Sequence, residues 1–127
     1  MLRFDPLMQS LLRHLGARLK QFREEEELAA IDVAATVGCD RAHLWGLERG
    51  DKWPSVQLLA ALAVVYRVEM ADFFTFPDTH VRHEIREILR VTPTAALADL
   101  REVVAKWAAA RGVVMPVSEK KTGRKAR

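Results

Sequence analysis

The segment VAATVGCDRAHLWGLERG, residues 33–50, constrains this chain more tightly than any other part of it. It reads as two short amphipathic helices broken at one glycine, with apolar residues at fixed intervals on either side. Ala34, four residues before Gly38, supplies a small side chain where the two helices must approach closely. Gly38 can take the left-handed conformation that ends a helix, a region costly for most residues with a Cβ. Cys39 follows as a small apolar plug, and Asp40 is a good N-cap for the next helix. Leu44 and Leu47, three apart, share the buried face of that helix, backed by Val33 and Val37.

Around this unit the pattern is helical throughout. Asp5 followed by Pro6 is a start signal, and Leu7, Leu11, Leu15, Leu19 and Phe22 predict a first helix from about residue 6 to 23 or beyond. The second and third helices are predicted over 30–37 and 41–48. Ser55 caps a fourth through Tyr66, and a short fifth lies near 70–74. Phe76, Pro77 and Asp78 break the chain. Val81, Ile85, Ile88 and Leu89 then form one face of a sixth helix. Thr92 and Pro93 repeat the opening cap logic for a seventh, to about Arg111 before Gly112. No strand is required.

At 127 residues, half of them hydrophobic, the chain builds one small domain with a modest extension. The apolar run at 58–66 is far short of the roughly 18 residues that suggest a membrane span. No secretory signal is visible, and a single cysteine excludes an internal disulfide; a reducing cytoplasm is the expected compartment. The net charge of +3 is unevenly distributed. Residues 1–74 carry nine Lys/Arg against eleven Asp/Glu and residues 75–118 six against five, whereas EKKTGRKAR at 119–127 carries five against one. The basic character belongs to the tail.

From Leu15 to Phe74 the sequence resembles the phage-repressor-like helix-turn-helix family, which includes lambda-repressor and Cro domains and regulators of the xenobiotic-response-element type. The resemblance is carried by LGARLKQFR at 15–23, LERG at 47–50, PS at 54–55 and ADFF at 71–74, with Gly38, Leu44, Leu47, Glu48, Gly50 and Pro54 in mutual register. It implies a five-helix helix-turn-helix domain over 1–75; with the helical hairpin read from the pattern over 76–112 and a flexible basic tail over 113–127, the expected fold is all-α. It also implies an ion pair of Arg23 with Glu48 tying the first helix to the third, a recognition helix at 41–48, and dimeric binding to double-stranded DNA. Three departures fall where the family meets DNA. Glu27 stands in place of its glycine after the first helix, and Ala29 and Ala30 replace its Ser/Thr cap and its glutamine. Glu24 to Glu27 add four carboxylates nearby.

On the third helix, Arg41, Ala42, Trp45 and Gly46 occupy the side opposite Leu44 and Leu47. By family position they face base edges, with His43 and Lys52 near phosphates. Arg41 suits bidentate pairing with guanine, and Ala42 or Trp45 a thymine methyl. An exposed tryptophan also suits a protein interface. Trp53 is expected as a staple on the fourth helix, and Cys39 as core filler.

In the C-terminal hairpin, Leu97, Leu100, Val104 and Trp107 recur at helical spacing, with Ala96, Val103 and Ala110 widening the stripe. This surplus apolar surface predicts a homodimer interface. His80, His83, Glu84 and Glu87 share helical spacing but lack a partner motif, so no metal and no cofactor are expected. No catalytic constellation emerges, and an enzyme is not expected. The expectation is therefore a sequence-specific, repressor-like transcriptional regulator acting as a dimer. The alternative is the same fold used as a protein-interaction module, or an antitoxin-like partner, with weak or no DNA binding.

Overall fold

The computed structural model describes residues 5–116; residues 117–127, with the basic stretch at 119–127, lie outside the described residues. Six α-helices and one 3₁₀ turn make up the described part, with no strand among the described residues. They are α1 (Asp5–Glu25), α2 (Ala30–Val37), α3 (Arg41–Glu48), α4 (Val56–Tyr66), the 3₁₀ turn Met70–Phe74, α5 (Val81–Val91) and α6 (Thr94–Ala110). The chain divides into two compact units, the first ending at Arg90 and the second beginning at Val91.

The first unit is built on one apolar core. Leu15, Leu19 and Phe22 of α1 meet Val33 and Ala34 of α2, Leu44 and Leu47 of α3, Leu59, Leu62, Ala63 and Tyr66 of α4, and Phe73 of the 3₁₀ turn. Burying each large apolar side chain contributes about 1.5–3 kcal/mol. The bend between α2 and α3 turns on Gly38, whose φ of 79° is left-handed, and the N–H of Cys39 donates to the carbonyl of Ala34 at 3.0 Å. Asp40 caps α3, its Oδ1 accepting from the His43 N–H at 2.6 Å, and Ser55 caps α4, its Oγ accepting from the Leu58 N–H at 3.0 Å. The α2 N-cap, Ala29, offers no side-chain acceptor.

One residue of α1, Gly16, sets its position against α3. A Cβ at Gly16 would stand 2.5 Å from the carbonyl oxygen of Leu47 and 2.6 Å from that of Glu48, so the backbones meet where only hydrogen fits. After α1 the chain reverses through Glu27, at a φ of 55°, a left-handed conformation that strains any residue with a Cβ.

Helix α5 inverts the usual amphipathic arrangement. Its apolar residues Val81, Ile85, Ile88 and Leu89 are exposed, whereas its polar side is held against the rest of the first unit. Glu87 pairs with the buried Arg18 of α1, and Arg90 pairs with Glu25 at 3.4 Å while its guanidinium lies 5.0 Å from the Phe22 ring centroid. His83 Nδ1 accepts from the Phe76 N–H at 2.7 Å. The cause lies in α1. Arg18 sits in the buried stripe at 3% exposure, and a buried guanidinium requires a counter-charge.

In the second unit α6 begins directly after Pro93. Leu97 and Leu100 are half-buried, while Val104 at 40% and Trp107 at 50% exposure are open, with the Arg111 guanidinium 4.6 Å above the Trp107 ring.

Candidate nucleic-acid interface

Helix α3 is fixed from behind. Leu44 and Leu47 are fully buried, and Glu48 at its end receives a two-pronged bond from Arg23, Nε to Oε1 at 2.6 Å and the second nitrogen to Oε2 at 3.2 Å. A third Arg23 nitrogen donates to the carbonyl of Leu28 at 2.9 Å, so one guanidinium joins the end of α1, the approach to α2 and the end of α3. The hydrogen bond to Glu48 raises the Arg23 pKa above its ordinary value, against the opposing effect of burial. The Tyr66 hydroxyl is buried beside this pair and has no hydrogen-bond partner among the described residues; burial and the Glu48 charge push its pKa upward.

With its inner side so held, α3 turns Arg41, Ala42 and Trp45 outward. The Arg41 guanidinium carbon lies 4.5 Å from the centroid of the Trp45 ring, which keeps 41% of its surface exposed. Arg41 forms no ion pair with a carboxylate among the described residues. Lys52 is exposed on the loop that follows, and His43 is half-buried.

Gly46 departs from the expectation of an outward-facing contact residue: it is buried. The aliphatic stem of Lys52 lies across it, so that a Cβ at this position would meet Lys52 Cδ at 3.4 Å and Cε at 3.5 Å. Lacking a side chain, Gly46 serves as the bed for a neighbouring cation and presents no group of its own.

Arg49, directly after α3, has its Nε held by Asp51 at 2.9 Å in an exposed pair. Glu24, Glu26 and Glu27 remain exposed at the end of α1. Cys39 is half-buried against the core, and burial pushes its thiol pKa up, Asp40 adding to the effect, so it is not an activated thiolate. Trp53 is 46% exposed beside the loop. Among the described residues no three His, Cys, Asp or Glu converge to hold a metal ion. His83 and Glu87 bond instead to Phe76, and to Arg18 and Arg90.

Sequence reasoning missed Gly16 and Arg18, the residues that set the spacing of α1 against α3 and the seat of α5. The signal for Arg18 is visible in retrospect as a cation inside the stripe formed by Leu15, Leu19 and Phe22.

Residues 14–73 match the model of a helix-turn-helix domain. A structure of the clp gene regulator ClgR from Corynebacterium glutamicum is 28% identical over 77% of this chain and 93% of that one, with a TM-score of 0.50. A second structure of ClgR is 32% identical over 50% of this chain and 82% of that one, with a TM-score of 0.47. The restriction-modification controller protein C.AhdI from Aeromonas hydrophila is 30% identical over 50% of this chain and 96% of that one, with a TM-score of 0.48. No curated protein matches the chain.

Proposed function

The chain belongs to the helix-turn-helix family through residues 14–73, and from that premise we propose that it is a sequence-specific DNA-binding transcriptional regulator of repressor-like type. Residues 1–75 read double-stranded DNA, and α3 enters the major groove as the recognition helix. The observation that carries the reading is the two-sidedness of α3. Leu44, Leu47 and the Arg23–Glu48 pair fix one side, while Arg41, Ala42 and Trp45 stand open on the other. An α-helix with its side chains is about 10–12 Å across, which fits a major groove about 12 Å wide. In this reading Arg41 pairs with guanine, and Lys52 and His43 lie near phosphates.

The protein acts as a homodimer in the cytoplasm, self-associating through Leu97, Leu100, Val104 and Trp107 in the 76–112 region, with the 113–127 tail adding non-specific phosphate affinity. Two copies would address half-sites about 34 Å apart or a multiple of that. The solvent exposure of Val104 and Trp107 supports this surface. Sedimentation equilibrium showing a monomer at micromolar concentration would remove the dimer.

Selection of bound duplexes by the full chain, repeated at two salt concentrations, tests DNA reading directly. A defined consensus that persists at moderate salt is the expected result. Flat preference that vanishes with salt would leave only phosphate attraction. The exposure of Trp45 favours a second reading, in which α3 docks a protein partner. Arg41→Ala separates the two: loss of duplex binding supports the first, and an intact duplex shift supports the second.

A further inference from the structure

Arg41 and Trp45 stand one helical turn apart on the open side of α3, and the guanidinium carbon lies over the indole ring, 4.5 Å from its centroid. No carboxylate competes for Arg41 among the described residues, and the adjacent Asp40 is engaged with the His43 N–H. The guanidinium is therefore held in orientation with its donors available. A guanidinium donating bidentately to guanine O6 and N7 lies in the plane of that base pair. A ring stacked against one of its faces then stands one layer along the duplex axis. The separation of 4.5 Å to the ring centroid is comparable to the rise of about 3.4 Å per base pair, which brings the indole within reach of the neighbouring pair.

What that edge can recognise follows from its chemistry. An indole has one N–H donor and no acceptor, and the rest of its rim is apolar. Among the major-groove edges of the four bases the apolar group is the C5-methyl of thymine. Gly46 adds no competing side chain beside Trp45, and the Lys52 stem covers it.

We infer that Trp45 is both a positioning residue and a specificity-determining residue: it holds Arg41 for guanine and reads the methyl group of a thymine in the adjacent base pair. Arg41 and Trp45 thus read a two-base-pair step rather than a single base. This inference rests on the reading of α3 as the groove-facing helix.

The test uses the full chain, the tightest duplex from a selection, and two altered duplexes. One carries deoxyuridine for the thymine beside the guanine, which removes the methyl; the other carries 7-deazaguanine, which removes the N7 acceptor. In the unsubstituted protein, deoxyuridine should weaken binding about fourfold, the worth of one buried methyl group. It should have no effect in Trp45→Ala and should regain its effect in Trp45→Phe, whose ring restores the stack. The 7-deazaguanine penalty should be about tenfold in the unsubstituted protein and smaller in Trp45→Ala. A deoxyuridine penalty equal in the unsubstituted protein and in Trp45→Ala overturns the inference, as does the lack of a thymine beside the guanine in selected sites. In either case a surviving 7-deazaguanine penalty leaves α3 as the reading helix. Selection that returns no consensus overturns both.

Discussion

Arg18, near the middle of α1, and Glu87, on α5, are 69 residues apart in sequence and form an ion pair in which the arginine side chain is 2% exposed. The other two Arg18 nitrogens are also engaged: Nε donates to the carbonyl of Asp72 and a terminal nitrogen to Gln21, each at 3.0 Å. Its guanidinium carbon lies 4.3 Å from the Phe22 ring centroid. A cation placed in an apolar stripe is tolerable only with this degree of satisfaction. Glu87 is therefore the group on which the seating of α5 turns.

Acid should release that seating. The Glu87 carboxyl is lowered from an ordinary 4.5 to about 2, chiefly by its hydrogen bonds from Arg90 and then by Arg18, against the opposing effect of burial. A carboxyl whose folded pKa is depressed adds stability that is complete above its unfolded pKa and is lost as pH falls through the folded one. Hydrogen-exchange protection of α5 amides should decline between about pH 4.5 and 2, ahead of protection at Leu62 in the core. Glu87→Gln should abolish the pH dependence in this window and weaken α5 protection at neutral pH by about 2 kcal/mol, the scale of a lost charge-assisted bond.

Glu27→Gly should stabilise the protein by about 1 kcal/mol. The substitution relieves a left-handed conformation, which costs an L-residue roughly 1–2 kcal/mol, offset in part by the greater unfolded-state freedom of glycine. A rise in the thermal midpoint of several degrees is the expected reading, and a fall would show that the Glu27 side chain contributes a contact that outweighs its backbone strain.

Gly16→Ala should destabilise by about 2 kcal/mol or more, although alanine is the better helix former by about 1 kcal/mol. The added methyl meets two carbonyl oxygens at the end of α3, at 2.5 and 2.6 Å, and backbone cannot move aside as a flexible side chain would. Urea denaturation measures the loss. Because relief requires α1 and α3 to separate, the stretched Arg23–Glu48 pair should also shift α3, and duplex affinity should fall with stability.

Tyr66→Phe should be neutral, or stabilising by up to about 1 kcal/mol, because it removes a buried hydroxyl without a partner among the described residues and leaves the ring packing intact. The urea midpoint of this variant reports directly on whether that hydroxyl has a compensating bond.

The two-helix unit was legible in sequence because each of its parts is a local rule. Gly38 supplies the left-handed turn, Asp40 and Ser55 the caps, and Leu44 and Leu47 the inner face; together they place α2, α3 and the start of α4 with little help from the rest of the chain. The Arg23–Glu48 bond came through resemblance, since nothing local joins residues 25 apart. The orientation of α5 was not legible. Periodicity tells which side chains share a face but not which face meets a neighbour, and here a buried charge 69 residues away decides the matter. Gly46 was misplaced for a related reason. A residue without a side chain leaves no pattern, and its burial depends on where the stem of Lys52 comes to rest.

The reversed seating of α5 leaves one helix answering to solvent in two different ways. Its inner flank is joined by largely buried ionic contacts, which dissolved salt screens only weakly, while its outer flank is hydrocarbon, which strongly hydrated salts such as sulfate drive out of water. Raising the concentration of such a salt thus makes its wetted stripe more costly to keep while leaving the attachment of this rod largely in place.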